Sequence, residues 1–184
     1  MDNLRQKTMN TLLVISALGD DRPGIVNDLS TVILDYGCNI ADSRMSVLGG
    51  EFALILLVSG SWDAIAKLEG ALPGLGDRFG LLITFKRTEK RESDKPLIPY
   101  EVEVVSMDHP GIVHDVADFM SARNINIETL DTETYSAAHT GTPMFSLNMR
   151  VSIPGDMHIA GLRDEFGEFC DELNLDAVLE PAKD

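Results

Sequence analysis

With 184 residues, 44% hydrophobic and 24% charged, the chain has the make-up of a folded globular protein, long enough for one large domain or two small ones. Its formal charge of −15 argues against direct binding to nucleic acid, which normally needs a basic face. No apolar run reaches the roughly 18–20 residues that cross a bilayer. The charge is also lopsided. Met1–Arg87 holds 8 basic and 10 acidic residues (−2), whereas Tyr100–Asp184 holds 4 and 17 (−13), so the second half suits a basic protein partner. The start "MDNLRQKTMN" lacks the apolar region of a secretory signal. Two distant cysteines, Cys38 and Cys170, make no disulfide framework, and a reducing cytoplasm is the expected compartment.

In chain order, Thr11–Leu18 reads as a strand and runs into "GDDRPGIVNDLS" (Gly19–Ser30). Ile25, Leu29, Val32, Ile33 and Tyr36 then recur at helical spacing, with Gly37 placed to end the helix in the left-handed conformation. Strands at Ile40–Leu48 and Phe52–Ser59 flank Gly49-Gly50, a two-residue hairpin signal. A second amphipathic helix carries Ile65, Leu68, Leu72 and Leu75; "GLGDRFG" (Gly74–Gly80) reads as its end and a loop, followed by a strand at Leu81–Lys86. The charged, Pro-containing residues 88–99 are expected to link a domain at 1–87 to one at 100–184.

The same series then repeats. "SMDHPGIVHDVA" (Ser106–Ala117) lies 87 positions after its counterpart and follows a strand at Ile98–Val105. Its helix face is Ile112, Val116, Phe119, Met120 and Arg123, closed by Asn124. A strand at Ile127–Tyr135, a longer hairpin through "SAAHTGTP" and a strand at Met144–Ile153 lead to Ile159, Leu162, Phe166 and Phe169 at helical spacing. Leu175–Leu179 closes the copy. Each unit is therefore β-α-β-β-α-β, an α+β ferredoxin-like arrangement: an antiparallel four-stranded sheet with two helices on one face. Units of this size are marginal alone, so the halves are expected to pack together.

The repeated turn offers chemistry. Pro23 and Pro110 suit the first helical position, and Gly24 and Gly111 let a backbone or ligand approach closely. Free N–H groups at the helix start favour a carboxylate, and Asp20, Asp21 or Asp108 would meet an ammonium group. Asn39-Ile40 and Asn126-Ile127 would offer amides across the gap. The expected binding set is thus Asp20 to Val26 (Asp20, Asp21, Arg22, Pro23, Gly24, Ile25, Val26) with Asn39 and Ile40, and Asp108, His109, Pro110, Gly111, Ile112, Val113, Asn126 and Ile127. The bland reading stands beside it: Asp21 and Asp108 serve as helix N-caps, and Pro-Gly is only helix-start or dimer-contact chemistry. Arg22 and His109 occupy one variable position, so the two turns need not bind alike. No Cys-x-x-Cys or His-x-x-x-His spacing, cofactor motif or catalytic constellation occurs; no metal or cofactor is expected, and Cys38, matched by Ile125, reads as a buried small hydrophobe.

Asp-x-Pro-Gly-Ile-Val followed by Asn-Ile, within β-α-β-β-α-β units from about Thr11 to Leu179, resembles the ACT domain, a family of small amino-acid-sensing modules. A tandem pair with no catalytic domain is similar to the ACT repressors of glycine cleavage. The resemblance implies a non-enzymatic regulator. Glycine or a similar amino acid would sit between ACT domains, and the working partner would be a DNA-binding activator protein. It also implies a homodimer. The alternative is an ACT subunit acting in trans on an amino-acid or one-carbon enzyme.

Overall fold

The computed structural model describes residues 10–90 and 96–183. Residues 1–9, residues 91–95 of the expected linker and Asp184 lie outside the described residues. The chain divides into two compact units, Met1–Arg91 and Glu92–Asp184. The flanking strands take both ends of the expected linker, since β4 reaches Thr88 and β5 starts at Leu97.

The first unit runs β1 (Thr11–Asp20), α1 (Ile25–Asp35), β2 (Asn39–Leu48), β3 (Glu51–Gly60), α2 (Trp62–Phe79) and β4 (Leu82–Thr88). The second runs β5 (Leu97–Met107), α3 (Ile112–Ala122), β6 (Asn126–Ser136), β7 (Pro143–Pro154), α4 (Ile159–Glu172) and β8 (Asp176–Pro181). Their sheets have matching orders, β2-β3-β1-β4 and β6-β7-β5-β8, with every pairing antiparallel. This is the tandem ferredoxin-like fold that the repeat predicts.

Alternation along the central strands decides where the core lies. Leu13, Ile15 and Ala17 of β1 and Leu54, Leu56 and Val58 of β3 are buried with Ile25, Leu29 and Ile33 of α1 and Ile65, Leu68 and Leu72 of α2. Val102, Val104, Leu147, Met149 and Val151 do the same under Ile112, Val116, Met120, Leu162 and Phe166. One face of each sheet is thereby covered by its own two helices.

Local chemistry sets the element ends. Gly37 (φ 72°) and Asn124 (φ 55°) take the left-handed conformation after α1 and α3. The N–H groups of Cys38 and Ile125 close back on the carbonyls of Ile33 and Met120 at 3.0 Å. Gly49 (φ 65°) turns the tight β2–β3 hairpin, whose last pair is Leu48–Glu51.

Two expectations are corrected. The stretch Gly74–Phe79 is not a loop: α2 continues through Pro73 to Phe79, and Gly80 (φ 69°) caps it. Burial of Leu72 and Leu75 on the core face outweighs the interior proline and glycines. Arg123 completes the predicted apolar face of α3 only in part. Its guanidinium lies 3.6 Å from the centroid of the Phe119 ring and pairs with Glu165 at 2.9 Å, so the stem packs while the charge stays at the surface.

Cys38 and Cys170 are buried free thiols, one in each unit's core. Burial pushes both thiols up, and with Asp171 beside it Cys170 is raised to about 11. At pH 8 Cys170 therefore holds about a hundredfold less reactive thiolate than an ordinary cysteine. Iodoacetamide should leave it unlabelled in the native protein and label it fully in guanidinium, with mass spectrometry as the readout; rapid native labelling would contradict this burial. No helix among the described residues is long and apolar enough to span a membrane.

Candidate functional site

β1 ends at Asp20, opposite Glu51 of β3, and the next N–H, from Asp21, donates to Gly50 O at 3.0 Å. In the second unit Asp108 N–H donates to Pro143 O, also at 3.0 Å. The turn before each first helix is thus tied to the hairpin joining its unit's second and third strands.

The prolines do not occupy the first helical position. α1 and α3 start at Ile25 and Ile112, and their N-caps are Gly24 (φ 96°) and Gly111 (φ 107°), left-handed and without a side-chain cap. Asp21 and Asp108 are therefore not N-caps either. The chain reverses sharply out of the strand, and a left-handed residue is needed after the proline to aim the helix back across the sheet. The glycines serve that φ rather than a close approach. A Cβ on Gly24 would meet only Arg22 Nη1 at 3.8 Å, and one on Gly111 only Asp115 Oδ2 at 3.5 Å.

The other two helices are capped. Ser61 Oγ accepts from Ala64 N–H at 3.2 Å, and His158 Nδ1 accepts from Gly161 N–H at 3.1 Å. Among the described helices only α1 and α3 start without a side-chain cap, which leaves their first-turn N–H groups to other acceptors.

Equal backbones carry unequal side chains here. In the first turn Arg22 folds over the helix start; its Nη2 donates to Asp28 Oδ2 at 2.9 Å and its Nη1 to Pro23 O at 3.4 Å. The second turn has no such cation. Among the described residues the His109 ring bonds with Pro110 O, at 3.2 Å, and Asp115, the counterpart of Asp28, makes no ion pair. Beside it lies an open depression of about 440 Å³ lined by His109, Gly111, Ile112, Val113, His114 and Phe145. The start of α3 borders this space directly, while the nearest carboxylate the structure places at the turn, Asp115, lies beside Gly111 and not in the lining.

The antiparallel register separates Asn39 and Asn126 from these turns. Asn39 pairs with Ser59 and Asp20 with Glu51, eight residues apart on β3, or about 27 Å at strand spacing. Within one unit Asn39 and Ile40 stand at the opposite end of the sheet from Asp20–Gly24, as do Asn126 and Ile127 from Asp108–Gly111. Their amides instead donate to Ile40 O at 3.2 Å and Ile127 O at 3.4 Å. They begin strands whose register slips between Ile40 and Asp42 and between Ile127 and Thr129. The repeated Asn-Ile marks a β-bulge. Conversely, Phe145 and His114 belong to the depression and are missing from the expected set; Phe145 joins only through its pairing with Ser106.

The ACT domain profile matches residues 11–86. The glycine cleavage system transcriptional repressor of Escherichia coli strain K12 is 38% identical over 164 residues, covering 88% of this chain and 85% of the relative. The chain belongs to that tandem-ACT repressor family. A crystal structure of a candidate glycine cleavage system transcriptional repressor superposes with a TM-score of 0.71 at 32% identity, covering 96% of this chain and 99% of that one. A protein of unknown function from Galdieria sulphuraria superposes with a TM-score of 0.76 at 31% identity, covering 95% and 99%. Both matches cover at least 95% of this chain and therefore extend over the two units.

Gly24→Ala and Gly111→Ala should each destabilise their unit by about 1–3 kcal/mol, the strain of an L-residue held at positive φ. Chemical denaturation followed by circular dichroism measures this, and a loss below the lower figure would mean the turn relaxes.

Proposed function

We propose that the chain is an amino-acid-responsive regulator of the glycine cleavage system, working by protein contact rather than by binding DNA. The observation that carries the reading is the similarity to the E. coli repressor across both ACT units. The charge supports the indirect route, because a surface at −15 repels phosphates and releases no counterions on meeting them. Its working partner is then a DNA-binding activator protein in the cytoplasm, and the chain itself is no enzyme.

The effector is glycine or a similarly small amino acid, and its place is the second turn. The carboxylate takes the free N–H groups at the start of α3, and the ammonium group takes Asp115 or Asp108. In the first turn Arg22 and Asp28 already satisfy each other, which leaves a zwitterion less to gain there. A ligand that binds one state of the protein better than another shifts the balance between them, and the same free energy alters affinity for the partner.

Calorimetric titration with glycine, serine and alanine tests this directly. Heat with at least one of them, weakened tenfold or more by Asp115→Asn or by His109→Arg, supports the site. No heat with any amino acid for a folded sample removes the sensing role. A pull-down from lysate separates the partners: a DNA-binding activator supports repression, whereas an amino-acid or one-carbon enzyme supports the trans-acting subunit.

A further inference from the structure

We infer that the helix-free face of the first unit's sheet is an interface with a second copy of this chain. The strand pairings define that face. Leu12, Val14 and Leu18 of β1 alternate with the buried Leu13, Ile15 and Ala17, and Ala53, Ile55 and Leu57 of β3 lie beside them. Over this stretch the two central strands are apolar on both sides apart from Ser16, and Leu18 and Ile55 remain 44% and 47% exposed. A sheet covered on one side only would alternate apolar with polar, so a run apolar on both faces is the pattern of a strand with cover on both.

The second unit supplies the comparison. At the matching register the Val14–Leu57 pair becomes Glu101–Arg150, and the Ser16–Ile55 pair becomes Glu103–Asn148. The same fold is therefore built with a polar outer face, and nothing in the architecture requires leucine, isoleucine and valine there. Contiguous exposed apolar surface of this kind marks a binding face.

Charge and size select the occupant. Of the −15 on the chain, −13 lies in Tyr100–Asp184 and only −2 in Met1–Arg87, so a copy meets least repulsion at the first unit. On this face the edge strands carry Asp42 and Arg44, which pair with each other at 2.6 Å, and Lys86 on β4, while Asp20 and Glu51 stand opposite each other at one end of the central pair. A partner chosen by charge finds a few charges of mixed sign rather than a row of one sign, whereas a copy brings an identical apolar patch across a two-fold axis. Four strands about 4.8 Å apart and about 3.3 Å per residue over ten residues project about 600 Å². Stacked on a copy, the two faces bury about 1,200 Å² or more, enough for a specific interface and beyond most lattice contacts.

Sedimentation equilibrium on the full chain across the micromolar range is the test, and it does not depend on any amino-acid effector. The wild type should be a dimer. Ile55→Asn with Leu57→Arg, the residues that the second unit tolerates at these positions, should raise the dimer dissociation constant about a hundredfold or more. Circular dichroism should stay unchanged. Leu18→Lys, nearer the edge, should weaken the dimer without touching the core, and Glu103→Gln on the second unit's face should leave it intact. A monomeric wild type, or a dimer indifferent to both first-unit substitutions, would overturn the inference. So would a dimer broken by Glu103→Gln alone.

Discussion

Everything in this protein rests on the burial of one face of a central antiparallel strand pair under two helices, made twice. β1 with β3, and β5 with β7, carry the apolar rows that α1 and α2, and α3 and α4, cover. Burial of such rows is the main favourable term for domains of this size. To bring a helix back over the strand that precedes it, the chain must reverse within a few residues. The left-handed glycine after each Asp-x-Pro provides that reversal. It also explains why the helices entering from this turn lack a side-chain cap: their N-cap position is taken by a residue with no side chain. The open N–H groups of the candidate site are thus a by-product of the fold's sharpest bend.

Duplication kept the constraint and released the rest. Both units retain the left-handed glycine, the N–H bond from the following turn to the hairpin, and the bulge at Asn-Ile. Side chains that the core does not hold have diverged. Arg22 is paired where His109 is not, and the outer sheet face is apolar in one unit and charged in the other. Charge follows the same division, with nearly all of the excess acid in the second half. One fold can in this way serve association and recognition separately.

Much of this was legible beforehand, and the limits have physical causes. Helical spacing picked out Ile65, Leu68, Leu72 and Leu75, all buried, because a 3.6-residue period leaves one stripe facing the sheet. The turn was found because it recurs, but its detail was misread. Pro-Gly suits a helix start or a turn before one, and only the required direction of α1 and α3 chooses between them. Helix length was misread at Pro73, where local propensity argues for a stop and tertiary packing overrides it.

The sequence by itself determined the duplication, the order of elements, the inner core rows and the charge asymmetry, since each depends on residue type and near-neighbour spacing. The tertiary structure alone decided which parts meet. It sent Asn39 and Asn126 to the far end of their sheets, because each lies after a helix that runs back along the strand it follows. It brought Phe145 beside His109 through the pairing of β7 with β5. It also decided which side of β1 and β3 the helices cover, and so left Val14, Ile55 and Leu57 outside. A strand's period of two says that its faces differ; only packing says which one the helices take.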